Sequence, residues 1–421
     1  MATNQPTDRV LAAQSVGADL GDGFYVLPGM GNALVAETDA GLVLVDAGSQ
    51  FTTPGMIEHL RNATESPLHA ICYSHGHMGY NSEVDMWLTH CEERGENPPR
   101  LVAHENILRR YSRYKETLTH QARMASIQFP GRKGVSYEMV LPSFRMTEPT
   151  ETFADSMILT EGSRTIELLW VPSETDDAIA LWFPDDGIVY GGACTPGDAI
   201  PNIGTPLRTQ RFTIRWADSL DRLAALEAEV LVTEFGPIIN GSKEVRHRLE
   251  KTAESLRWLR DEVVDRLNKG MGEREVLADM TYPEELFNQP WMTPNYGCPE
   301  YIVRDLYREE NGWWDRNPTN LHPSAPQDAA QAVLSAIAEP AQVLSRAKEI
   351  AEQGDVQLAL HVIDLLALSD SDLPEVIEAK AFKAELCLLR AKEIDPYVSK
   401  ACYRSSARHL DNGINSWQDA P

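Results

Sequence analysis

A chain of 421 residues is too long for one ordinary domain and implies two, the first large enough to bury a full core. Its composition, 43% hydrophobic and 24% charged, is that of a soluble globular protein. A formal net charge of -25 argues against nucleic acid as a partner, because a phosphate backbone needs clustered Lys and Arg, and it equally disfavours an anionic membrane surface. The opening residues, MATNQPTDRVLAAQSVGADLGDG, show neither a basic region nor an apolar region, so no secretory signal is expected. No run approaches the ~20 apolar residues of a membrane helix. Six cysteines (Cys72, Cys91, Cys194, Cys298, Cys387 and Cys402) are scattered without CxxC pairing and read as buried thiols in a cytoplasmic protein.

Along the chain, Gly23 to Leu27, Ala33 to Glu37 and Leu42 to Asp46 are three closely spaced strand candidates separated by Gly-bearing turns. A helix follows through Met56 to Ala63, then a short apolar strand, His69 to Tyr73. Residues 83–91 and 105–125 read as helical. Further strands are predicted at Thr165 to Val171, Ala178 to Phe183 and Ile188 to Tyr190. The segment Asp218 to Glu229 is an amphipathic helix and Val230 to Thr233 a terminal strand. This alternation fits a layered α/β sandwich. From about Ser242 the pattern turns helical, with a long amphipathic helix over 242–268 and a shorter one over 272–280. A Pro- and Trp-rich stretch, Trp291 to Pro323, closes the first domain, with Trp313 and Trp314 expected in an interdomain core. The expected division is 1–325 and 326–421. In the second part Val343 to Glu352 and Val356 to Leu368 pair across Gly354. One such pair does not make a repeat array, which needs about three units, so an all-α dimerisation or packing domain is the better reading.

The segment SHGHMGYN (Ser74 to Asn81) follows directly on a strand. Two histidines at i and i+2, with Gly76 allowing a tight turn between them, can point into one cleft, and imidazole is the commonest protein ligand of zinc and iron. With the preceding strands VLPGMGNALVAETDAGLVLVDAG, the motif resembles the metallo-β-lactamase superfamily, in which HxHxDH follows a β-meander and an Asp-ending strand. Asp46 stands in the place of that Asp, whose role is to support the metal-binding loop. The stretches PSETDDAIALWFPDDGIVYGGA (172–193), PNIGTPLR (201–208) and NYGCPEYIVRDLYREENGWWDRNPTNLHP (295–323) are similar to the alkylsulfatase family. The resemblance runs from about residue 20 to 411 and stops short of that family's lipid-transfer-like domain. It implies an αββα sandwich followed by an all-helical dimerisation domain, and hence a homodimer.

By this resemblance His75 and His77 match the first two metal-binding histidines and Glu174 the first ligating carboxylate. The Asp and third His of HxHxDH fall on Gly79 and Tyr80, the bridging carboxylate on Ala193 and the last histidine on Phe235. The expectation is therefore one divalent metal ion, Zn or Fe, on two imidazoles and one carboxylate. A retuned site recruiting Glu234, Cys194 or Asp176 is the alternative, and a metal-free relative a third outcome. Asn202 and Arg208 match positions beside the sulfate group, although Arg211 and Arg215 lie near enough to share that role. Tyr80 either faces the metal as an acid or hydrogen-bond donor or fills the vacated second site. His104 and His120 are expected to be structural, Asp176 and Asp177 to form a solvated loop, and Tyr296 to pack. The implied reaction is hydrolysis of a small anionic or amphiphilic ester, alkyl-sulfate-like, through a metal-bound water. The competing readings are a non-haem Fe(II) oxygenase and a non-catalytic homologue.

Overall fold

The computed structural model describes residues 17–131, 134–162, 164–414 and 417. The expectation that the chain opens without a secretory signal falls largely on residues 1–16, outside that range. The described residues form two compact units. The first runs to Gln121 and resumes over Leu141–Glu310; the second joins Ala122–Val140 to the residues from Asn311 on.

In the first unit β1 (Ala18–Gly21), β2 (Phe24–Pro28), β3 (Asn32–Thr38), β4 (Gly41–Val45), β5 (Leu68–Cys72), β6 (Arg100–His104) and β7 (Glu151–Phe153) make one sheet in sequence order. It is antiparallel as far as β4 and parallel from β4 to β7. Parallel neighbours need crossovers. These are made by α1 (Thr53–Ala63) between β4 and β5, α2 (Val84–Glu93) between β5 and β6, and a segment opening with α3 (Asn106–Glu116) after β6. That last segment continues through α4 (Leu118–Gln128) and α5 (Tyr137–Val140). The expected single helix over 105–125 breaks at Thr117, whose Oγ1 donates back to the Arg113 carbonyl at 2.7 Å.

The second sheet contains β8 (Ser156–Glu161), β9 (Arg164–Trp170), β10 (Ile179–Phe183), β11 (Ile188–Gly192), β12 (Val230–Thr233) and β13 (Ile239–Asn240), in the spatial order β13-β12-β11-β10-β9-β8. Only β11 and β12 pair in parallel, joined by α6 (Thr213–Ala224). That helix begins five residues before the predicted Asp218, because Thr213, Trp216 and Ala217 extend its buried stripe. Next come α7 (Ser242–Asn268), α8 (Glu273–Asp279), α9 (Glu284–Phe287) and α10 (Pro299–Asn311).

Period-2 alternation makes the layers. Val43 and Val45 join Phe24, Leu34, Leu168, Ile179, Leu181 and Tyr190 in a core between the sheets. Leu42 and Leu44, on the other face of β4, pack with Met56, Leu60 and Trp87 from α1 and α2. Val171, Ala180, Val189 and Leu231 face Trp216, Leu220, Leu256 and Ile302 from the helices on the far side. The result is a four-layer αββα sandwich, each fully buried Leu, Ile or Phe contributing about 1.5–3 kcal/mol. The strands of such a sheet are buried on both faces, which is why β4 reads as an unbroken apolar run.

The second unit contains α11 (Pro326–Ser335), α12 (Pro340–Glu352), α13 (Val356–Ala367), α14 (Pro374–Glu393) and α15 (Tyr397–Asp411) around Leu344, Ala347, Ile350, Leu360, Ile363 and Leu386. Helices α12 and α13 pair across Gly354, and the Asp355 side chain caps α13 by accepting from Leu358 N at 2.8 Å. The Trp313 and Trp314 side chains, expected in a core, are instead 67% and 37% exposed. The Trp314 indole N–H is met locally by the Asn317 carbonyl. Among the described residues no helix is long and apolar enough to cross a membrane.

Candidate metal centre

The carboxyl ends of β4, β5, β11 and β12 gather at one edge of the sandwich, where ligand sites of α/β sheets form. Asp46, just past β4 in the left-handed region at φ 64°, is the anchor. Its Oδ1 accepts from Ser74 N and Asn81 Nδ2, both at 2.8 Å, and its Oδ2 accepts from Ser74 Oγ at 2.6 Å. Asn81 Oδ1 in turn accepts from Ala47 N at 3.0 Å, tying the two loops together. Burial still pushes the Asp46 carboxyl up to about 6, against those hydrogen bonds. Because the Ser74 hydroxyl gives its proton to Asp46, it can only accept from His75 Nδ1, 2.9 Å away. That fixes the His75 tautomer and leaves the Nε2 lone pair facing the cleft.

His75 Nε2 lies 3.0 Å from His77 Nδ1, which is 3.5 Å from Glu174 Oε1, and Glu174 Oε2 is 4.0 Å from His75 Nε2. These are the only three residues among those described whose donor atoms cluster in this way, all within 4.8 Å. Burial lowers His75 to about 4 and holds His77 well below the ordinary imidazole range, so both rings are neutral near pH 7 with lone pairs available. Two neutral imidazoles and a carboxylate with open positions fit a divalent cation of the zinc or iron type.

Glu174 sits in the β9–β10 loop and is held from both sides. Asn202 Nδ2 donates to its Oε1 at 2.8 Å, and the Arg211 guanidinium reaches the same oxygen at 3.1 Å while also donating to the Asn202 carbonyl. Asn202 thus positions the carboxylate. Asp177 was expected in a solvated loop, yet it is 1% exposed. Its Oδ2 accepts from Gly76 N at 2.7 Å, between the two histidines, and its Oδ1 accepts from Arg110 Nε at 2.7 Å. Asp176 pairs with Arg109 and Arg110. A turn is too short to keep its polar groups in water when α3 presses on it, so the loop is ion-paired. Gly76 is required here by close approach: a Cβ would meet Arg110 Cδ at 2.7 Å and Asp177 Oδ2 at 2.8 Å.

The positions where further ligands would fall carry no free donor group. Gly79 has φ +89°, and a Cβ there would meet Met30 Cε at 2.5 Å. Ala193 is buried, and Tyr80 turns its hydroxyl to Glu234 Oε1 with its ring 4.3 Å from that of His75. Burial first, then the charge of Glu174, hold the Glu234 carboxyl well above its usual range and favour its neutral form. Cys194 is likewise buried with its thiol pushed up by desolvation. Neither Glu234, Cys194 nor Asp176 enters the donor cluster. Gly79→Asp is therefore expected to lower stability by about 1–2 kcal/mol, from the left-handed backbone at φ +89°, with metal content per chain unchanged. Thermal melting with elemental analysis checks this; a second equivalent of metal in the variant would contradict it.

Arg208, by contrast, has no carboxylate partner among the described residues, and burial lowers its pKa with Tyr296, Arg211, Tyr114 and Glu174 as electrostatic neighbours. Tyr296, expected only to pack, is thus a neighbour of this guanidinium. His104 stacks on Trp170 at 5.1 Å, and His120 is exposed. The sequence reading missed Ser74, Asn81 and Arg110. Arg110 carried a signal, since it shares the buried face of α3 with Ile107, Tyr111 and Tyr114 and so demands a carboxylate.

Residues 26–234 match the family described as metallo-beta-lactamase superfamily, and residues 272–413 match alkyl sulfatase dimerisation. Among curated proteins, a linear primary-alkylsulfatase of Pseudomonas sp. is 26% identical over 371 residues, covering 82% of this chain and 69% of the relative. An (R)-specific secondary-alkylsulfatase of Pseudomonas sp. is 22% identical over 413 residues, covering 92% and 61% respectively. The solved structure of the stereoselective inverting sec-alkylsulfatase Pisa1 from Pseudomonas sp. superposes with a TM-score of 0.81 at 19% identity, over 94% of this chain and 66% of that one. The chain thus spans between 61% and 69% of these relatives' lengths.

Proposed function

Since the chain belongs to the alkylsulfatase family of metallo-β-lactamase-fold proteins, we propose that it hydrolyses a small anionic ester of the alkyl-sulfate kind with one divalent cation on His75, His77 and Glu174. The observation that carries this reading is the convergence of three donor groups within 4.8 Å beside a guanidinium, Arg208, that no carboxylate neutralises. A cation held there supplies Lewis acidity toward water and toward the ester oxygen. The chain's own residues do the rest. Arg208 binds the anionic head group, since a desolvated arginine without a partner favours an oxyanion. Asn202 and Arg211 keep Glu174 aimed at the histidines, and Asp46 does the same for His75 through Ser74. The preference for one cation over two rests on Gly79, Ala193 and the Tyr80–Glu234 pair, where a second set of ligands is replaced by hydrocarbon and a neutral hydrogen bond. In that pair the Tyr80 hydroxyl donates to the neutral Glu234 carboxyl, and its ring lines the wall of the site. Catalysis belongs to the sandwich in this reading, and homodimerisation to the helical part.

A 2-His-1-Glu set also suits non-haem Fe(II), which makes an oxygenase the second reading. Elemental analysis of protein purified without added metal, run beside sulfate release from a medium-chain alkyl sulfate, separates them. One zinc per chain with sulfate release is expected. Two metals per chain overturn the single-cation reading, iron with oxygen-dependent turnover favours the oxygenase, and no metal with unchanged stability in chelator favours a non-catalytic homologue.

A further inference from the structure

A cavity of about 400 Å³ starts at Glu174 and extends along α3 to the segment that leads into α6. Its wall holds five arginines against two carboxylates, Glu174 and Asp176, in a chain whose net charge is -25. Arg109 and Arg110 are engaged by Asp176 and Asp177, and Arg211 by Glu174. Arg113 and Arg215 differ: among the described residues no carboxylate pairs with either. Both guanidiniums lie against rings instead, Arg215 at 5.7 Å from Trp170 and 5.4 Å from Phe212, and Arg113 at 5.9 Å from Tyr114. A guanidinium set near an aromatic ring, with no carboxylate on its N–H groups, can offer those donors to a planar or tetrahedral oxyanion. Among its lining residues only Phe212 and Pro172 carry apolar side chains; the others are cationic, anionic or polar, and the aliphatic stems of the arginines supply the rest of its hydrocarbon.

We propose that this cavity is a second anion subsite. The substrate is a small ester carrying a further carboxylate or phosphate, which Arg113 and Arg215 grip while the ester group lies at His75, His77 and Glu174. The inference rests on the hydrolytic reading for its scissile group, but the subsite has its own readout.

The test is calorimetric titration of the metal-replete full chain with three hexyl sulfonates, non-hydrolysable analogues of a sulfate ester, ending in methyl, carboxylate or phosphate. An anionic tail is expected to bind about tenfold more tightly than methyl, as two partly exposed charge contacts allow. The preference shrinks with added salt and falls to within about twofold in R113A/R215A. The tighter of the two anionic tails identifies the group. Equal or tighter binding of the methyl-tailed compound by the unmodified protein overturns the subsite, as does a preference that survives in R113A/R215A. Turnover of the matching sulfate esters is read separately. No turnover with the binding preference intact removes the hydrolytic reading alone, whereas turnover with equal binding removes only the subsite.

Discussion

Replacing His77 with alanine is expected to cut metal content to well below one equivalent and ester turnover by at least about a thousandfold, with the fold retained. The side chain is 18% exposed and contributes its Nδ1 to the donor cluster, 3.0 Å from His75 Nε2 and 3.5 Å from Glu174. Three protein ligands are the minimum for a catalytic zinc, and a site reduced to two loses both the cation and the several kcal/mol of charge stabilisation it provides. Asp177 and Asp46 hold their loops independently of His77, so circular dichroism and melting change little. Elemental analysis and sulfate release make the measurement. Full turnover in this variant would remove every metal-dependent reading of the site.

Asp177→Ala acts on stability instead. The carboxylate is buried against Arg110 and also caps the Gly76 amide, so its removal leaves that amide without its acceptor and Arg110 with only the partly exposed Asp176 as a partner. Breaking one partner of a buried pair costs about 3–5 kcal/mol when nothing replaces it, and the retained Asp176 contact puts this variant at the lower end, about 3 kcal/mol. For a large unit that corresponds to a fall in Tm of roughly 6–12 °C. Burial by itself would raise the Asp177 carboxyl, but the charge of Arg110 and hydrogen bonding outweigh it and the native value is depressed. A depressed native pKa contributes stability that is fully present above the unfolded Asp value, about 3.9, and is lost as pH falls through the native one. The gap between the variant and the parent protein should therefore be widest near neutrality and narrow in acid below about pH 4. A variant that melts with the parent at pH 7 would show that Asp176 alone compensates Arg110.

The strands flanking the site were legible because period-2 alternation and Gly-bearing turns are local signals; β2 to β5 fall within a few residues of the predicted ranges. The histidine pair was legible for the same reason, as a short motif on a strand end. Glu174 was reached only through resemblance, since nothing local distinguishes it from Asp176 or Asp177. What sequence could not give was partner choice across the sandwich. Asp177 looks like a loop residue until α3, which begins about seventy residues earlier in the chain, brings Arg110 against it. Arg211 and Arg208 are equally placed in sequence, yet only the first is spent on Glu174. The start of α6 was misjudged because Thr213 is buried at a helix end, which polarity alone does not reveal.

The helical unit is not contiguous. Residues 122–140 leave the first unit, and Ile127 accepts a hydrogen bond from Ser405 Oγ at 3.0 Å while Phe129 stacks on Tyr397 at 6.1 Å. During synthesis this excursion therefore emerges long before α15, to which it must dock. At about 5–20 residues per second, its apolar side waits on the order of ten seconds or more for a surface to cover it. Nascent chains of this protein should accordingly engage holding chaperones over that interval, and a shortened chain released before Tyr397 should aggregate even though the sandwich strands are all present.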